Sequence, residues 1–128
     1  MEHRLICKVY YEDTDALGVV YHANYLKYME RARSEYVERF GKPIWEWNRL
    51  GYYIVVYAMN IRFKRAAQLG DTLEVVSAFS LQSPYRGLFK QRVERDGQVC
   101  VEADVELTCL DPQRNLREFP PEFRSGRA

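Results

Sequence analysis

Apolar residues along this chain switch from a period of two to a period of three or four and back again. Leu5, Cys7, Val9 and Tyr11 alternate with Arg4, Ile6, Lys8 and Tyr10, the pattern of a strand with one buried face. From Tyr25 the spacing lengthens: Tyr25, Tyr28, Met29, Ala32, Tyr36 and Phe40 recur at three- and four-residue steps, which lays them along one stripe of a helix. The pattern predicts a helix from about Ala23 to Phe40. Gly41 supplies a C-terminal cap, and Pro43 forbids continuation. The opposite side is charged. Glu35 stands four residues from both Arg31 and Arg39, which favours the helix modestly, while Lys27 and Arg31 form a like-charge pair.

After the helix, Lys42 to Gly51 reads as a connection with one short helical turn around Ile44 to Leu50, its tryptophans sealing one end of the core. Tyr52 to Arg65 is a second strand, apolar on both faces at first and therefore expected to be covered on both. Leu69-Gly70-Asp71 marks a turn, Thr72 to Leu81 a third strand and Arg86 to Arg95 a cation-rich fourth. Asp96-Gly97 is a strong two-residue hairpin signal. Gln98 to Thr108 follows as the cleanest strand, with Val99, Val101, Ala103, Val105 and Leu107 on one face. Beyond Asp111-Pro112 the tail is proline-rich and charged, with one short turn near Pro121 to Arg124 and an end expected to fray. One strand, one long helix and four more strands joined by hairpin-like connections give an α+β order: a curved antiparallel sheet wrapped around a single helix.

Bulk properties narrow the function. At 128 residues the chain makes one domain, residues 1–128. A net charge of +1 gives no electrostatic case for nucleic acid. Ten tyrosines suit an interface as well as a core, and open strand edges on so small a sheet call for a homodimer at least. No leader and no apolar run of spanning length is evident, which predicts a soluble, cytoplasmic protein. Cys7, Cys100 and Cys109 lack a CxxC pair and fit buried free thiols. With only His3 and His22 and no His/Cys cluster, no metal site is expected.

The chemistry gathers between the first strand and the helix. Asp13 and Asp15 sit on a turn that runs through Ala16-Leu17-Gly18 into Tyr21-His22, so a carboxylate precedes a helix N-terminus whose unpaired N–H groups can hold an oxyanion. That arrangement suits acyl transfer. The stretches Tyr11-Glu12-Asp13-Thr14-Asp15, Gly18-Val19-Val20-Tyr21-His22-Ala23-Asn24-Tyr25 and Glu30-Arg31-Ala32-Arg33-Ser34-Glu35 resemble hotdog-fold acyl-CoA thioesterases of the 4-hydroxybenzoyl-CoA thioesterase family, in the branch associated with the Tol–Pal envelope system. The similarity runs along essentially the whole chain. It implies a hotdog fold, an acyl-CoA substrate, no cofactor, a homodimer built edge to edge with further pairing into tetramers, a site between subunits and envelope-associated protein partners. It makes Asp15 the catalytic carboxylate, as nucleophile or general base, and the backbone N–H near His22 the oxyanion donor.

Each assignment has a plainer rival. Asp15 competes with a turn-forming role, and His22, whose side chain is a candidate for orienting substrate or water, competes with a capping one. Asp13 is expected to brace the loop, Asn24 to cap, and Glu30 to form an ion pair rather than serve as the acid. Tyr21 joins the substrate-binding candidates, together with Arg62, Lys64, Arg65, Arg86 and Lys90 as cations for the phosphates of coenzyme A; their rival is solvated surface. The alternative functions are a non-catalytic acyl-CoA-binding or envelope-scaffold protein, or a hotdog hydratase. The hydratase pattern pairs Asp and His about one helical turn apart, whereas Asp15 and His22 are seven apart across a loop.

Overall fold

The apolar stripe becomes the axis of the molecule. In the computed structural model, which describes residues 1–125, helix α1 spans Asn24–Glu38 and buries Tyr25, Tyr28, Met29, Ala32, Tyr36 and Val37. Five strands wrap it: β1 (Glu2–Lys8), β2 (Tyr53–Phe63), β3 (Thr72–Ser83), β4 (Arg86–Arg95) and β5 (Gln98–Leu110). They form one antiparallel sheet in the order β1-β3-β4-β5-β2. Helix α2 (Ile44–Arg49) fills the expected connection, but of its two tryptophans only Trp47 is buried against the core; Trp45, two positions earlier on the opposite side of the helix, is exposed. The frayed end expected of the tail lies outside the described residues. No helix among the described residues is long and apolar enough to cross a membrane.

Register decides which side chains meet the helix. The pairs Val75↔Val93 and Phe89↔Val105 put β3, β4 and β5 in phase, so Leu73, Val75, Phe89, Val93, Val101 and Val105 form one buried face. Asp96 and Gly97 both take positive φ, 50° and 79°, as a tight hairpin between β4 and β5 requires. Two polar residues, Ser77 and Gln91, lie on the buried face. Gln91 satisfies itself fully: its amide donates to the Met29 carbonyl at 3.0 Å and the Ser77 hydroxyl at 2.9 Å, and its oxygen accepts from Arg33 at 2.9 Å.

Three expectations shift. Strand β1 stops at Lys8 rather than reaching Tyr11, because Asp13 Oδ2 accepts the Tyr10 N–H at 2.9 Å and folds Tyr11–Asp13 into a 3₁₀ turn. Glu35 pairs with neither Arg31 nor Arg39 but faces His3 at 3.7 Å; the intrahelical ion pair is Glu30 to Arg33 at 2.8 Å. Strand β2 is not covered on both faces within one chain. It is an edge strand, and Val56, Tyr57 and Phe63 are exposed.

Candidate active site

Residues 13–21 fold back as a small hairpin. The Asp15 N–H donates to Val19 O, the Gly18 N–H to Asp15 O and the Tyr21 N–H to Asp13 O, with Thr14 bridging to Val20. Gly18 takes φ 77°, which a residue with a Cβ adopts only with strain. Asp15 therefore sits at the exposed tip. Its Oδ1 accepts the Leu17 N–H at 2.8 Å, the turn-forming contact, and among the described residues Oδ2 has no partner. Turn former and free carboxylate are the same side chain, one oxygen for each.

The helix start is left uncapped. Ala23 occupies the N-cap position without a side-chain bond, and the first turn carries no acid. The Asn24, Tyr25 and Leu26 N–H groups close short bonds to Tyr21 O, His22 O and Ala23 O, while among the described residues the His22 and Ala23 N–H groups meet no acceptor. Asn24 does not cap the helix; its side chain donates to Asp13 O at 2.9 Å and ties the acidic loop to the helix. Two N–H groups at the positive end of an uncompensated dipole are suited to an oxyanion.

Beside them lies an open cavity of about 270 Å³ lined by Val20, His22, Tyr25, Phe63, Lys64, Arg65 and Ala66. The His22 ring stands edge-on to Phe63, with centroids 6.1 Å apart, and 4.6 Å from the Tyr21 ring. Below, the Tyr28 hydroxyl is buried without a hydrogen bond of ordinary geometry. Burial first, then the nearby Asp13 carboxylate, keep its proton on far above the usual tyrosine range.

The other candidates scatter. Arg65 lines the cavity and donates to Val99 O; Lys64 lines it too, paired to Glu102 at 2.9 Å. Arg62 and Lys90 line a different hollow, with Glu2, Arg92 and Asp104, on the outer face of the sheet. Arg86 lies over the Tyr57 ring. Glu30 is bound to Arg33, and Asp13 braces the loop through Tyr10, Tyr21 and Asn24. Cys100 and Cys109 are buried, and burial pushes the Cys109 thiol up to about 11. One contact has no counterpart among the expected site residues: the Tyr25 hydroxyl accepts the Ala67 N–H at 3.1 Å. A tyrosine on a core stripe is the available signal for it, since a buried phenol needs a partner.

A five-stranded antiparallel sheet around one long helix is the architecture of the hotdog-fold thioesterases. The chain belongs to the thioesterase-like superfamily, whose sequence pattern matches residues 9–126, and it is a hydrolase of thioesters. It is 40% identical over 123 residues to the acyl-CoA thioesterase YbgC of Haemophilus influenzae, covering 93% of this chain and 89% of that one. A probable thioesterase from Bartonella henselae superposes with a TM-score of 0.88 at 31% identity, covering 94% of this chain and all of the other. The fold is shared more widely: a 1,4-dihydroxy-2-naphthoyl-CoA thioesterase from Synechocystis gives a TM-score of 0.90 at 20% identity, over 98% and 95% of the two chains.

Proposed function

We propose that the protein hydrolyses acyl-CoA thioesters in the cytoplasm, releasing a carboxylic acid and coenzyme A, with Asp15 as nucleophile or general base. The observation that carries this reading is an Asp15 Oδ2 without a partner among the described residues, on a hairpin strapped to a helix start with two N–H groups that likewise meet no acceptor there. The carboxylate either attacks the thioester carbon, giving a mixed anhydride that water then hydrolyses to the free acid, or takes a proton from the water that attacks that carbon. The His22 and Ala23 N–H groups hold the oxyanion, and the thiolate departs without strong acid help because its conjugate thiol is already fairly acidic. Among the cations, Lys64 and Arg65 are the ones beside the cavity and best suited to coenzyme A.

Asp15 pairs at the Val19 register, three residues before His22 in the chain, and the cavity beside the helix start stands open to solvent. The exposed, apolar β2 edge supplies a remedy: antiparallel pairing of two β2 strands brings the Phe63 end of one beside the opposite end of its partner's, closing the cavity between subunits. A homodimer, pairing into a tetramer, is the working form. The resemblance of the acidic-turn motif to the Tol–Pal-associated branch supports envelope-associated partners, which co-purification checks.

The test is a panel of short-chain, aromatic and long-chain acyl-CoA substrates assayed for free thiol. Release from at least one class, lost in Asp15→Asn, is expected. No release from any of them by folded protein would leave only binding.

A further inference from the structure

The turn between β2 and β3 is stitched to three neighbours at once. The Val20 N–H donates to Ala67 O at 2.8 Å, the Leu69 N–H to Gly18 O at 3.0 Å, and the Ala67 N–H to the Tyr25 hydroxyl at 3.1 Å, so residues 67–69 hold both the Asp15 hairpin and the first turn of α1. The same turn is pinned from the far side by one ion pair. Asp71 Oδ2 accepts the Gln68 N–H at 2.8 Å and lies 3.0 Å from Arg95 Nη1, which also donates to Ala66 O at 3.3 Å. Arg95 ends β4, the central strand of the sheet, hydrogen-bonded to β3 on one side and β5 on the other. Neither residue lines the cavity.

We propose that Arg95 and Asp71 are positioning residues: the pair transmits the rigidity of the β4–β5 hairpin through Ala66–Leu69 to the Asp15 hairpin and the helix start, fixing carboxylate and N–H donors relative to one another. This rests on the reading that makes those groups the reacting machinery. The chemistry favours the arrangement, because a guanidinium presents several donors in a fixed fork and so grips a carboxylate and a carbonyl together, a grip that an exposed lysine does not reproduce. The pair is only partly buried, with side chains 26% and 25% exposed, so its contribution to global stability is small. A misplacement of about 1 Å at the reacting groups nevertheless costs on the order of 100-fold in rate.

The experiment compares the dimeric enzyme with Arg95→Met, Asp71→Asn, their double variant, Asp15→Asn and Arg92→Met, all assayed well below each melting temperature. Arg92 pairs with Glu2 and Glu94 on the outer face of the same strand and controls for the loss of an ion pair as such. The expected result is a fall in kcat of about 10- to 100-fold for Arg95→Met, with KM within about twofold, and a double variant no worse than the worse single one. Amide exchange at Val20 and Leu69 should quicken by about tenfold while Met29 stays protected. Arg92→Met should keep its turnover. Asp71→Asn is isosteric and decides the matter if Arg95→Met does not fold. Parent-like kcat in folded Arg95→Met or Asp71→Asn, with Asp15→Asn inactive, overturns the clamp alone; parent-like kcat in Asp15→Asn overturns the reading beneath it.

Discussion

The two ends of α1 are built from similar residues and treated in opposite ways. At the C-terminal end Phe40 stacks on Phe123 at 4.1 Å, Trp47 and Phe79 meet the same ring edge-on, and Phe119 closes the cluster; all but Phe79 are buried. The tail segment Pro121–Ser125 is a strap that plugs the sheet at this end. At the N-terminal end His22, Tyr21 and Phe63 are exposed, the first turn has no side-chain cap, and two N–H groups find no acceptor among the described residues. Apolar rings close one mouth and border the other. The difference teaches that the open end is left unsatisfied in polar terms as well as in packing, which is what a site for a polar reacting group requires and a core does not.

Four changes break or sharpen this contrast. Phe123→Ala removes the ring at the centre of the plug, and a loss of about 3–5 kcal/mol in thermal or denaturant unfolding is expected, with turnover of the surviving folded enzyme preserved. A large loss of kcat without a loss of stability would mean that the two ends are not separate. His22→Pro deletes one N–H at a position where proline is tolerated, and should lower kcat by about 100- to 1,000-fold with the circular dichroism unchanged, whereas His22→Ala leaves the donor and should show a moderate defect. Gly87→Ala places a Cβ 2.6 Å from the Phe79 ring and should cost about 1–3 kcal/mol, again without touching KM. The smallest effect concerns pH. The Gln68 N–H first, and then Arg95, hold the Asp71 carboxyl below its ordinary value, so its contribution to stability is complete above the ordinary carboxylate range and fades as pH falls through the lowered value. The gap in melting temperature between the parent and Asp71→Asn should be constant from neutrality to about pH 5 and close below about pH 4.

Much of this was legible in the chain. The stripe from Tyr25 to Phe40 declared the helix because its period matches one face, and Asp96-Gly97 declared its hairpin because few other residues accept two positive φ angles in succession. Asp15 and His22 stood out through their place between strand and helix. What stayed hidden depends on parity and on distant partners. Arg62 and Lys90 looked like Arg65 in the sequence, but register turns the first two to the outer face, and only the third follows the strand's end into the cavity. Gln91 and Arg33 carry no local sign that they will meet beneath the helix, 58 residues apart. Strand β2 looked doubly covered because its first residues are apolar on both faces, and hydropathy does not reveal whether an apolar side chain is in fact covered within the chain.

The central claim is that the free carboxylate of the acidic turn, rather than an acid on the helix, performs the hydrolysis. Single-turnover thiol release by Asp15→Asn and Glu30→Gln, on whichever acyl-CoA the parent cleaves fastest, tests it most directly. Asp15→Asn should fold and bind substrate yet lose turnover by about 1,000-fold or more, since its shape is kept and only the reacting charge is gone, while Glu30→Gln should retain the greater part of the parent rate. Near-parent turnover in folded Asp15→Asn, with Glu30→Gln inactive, would contradict the account.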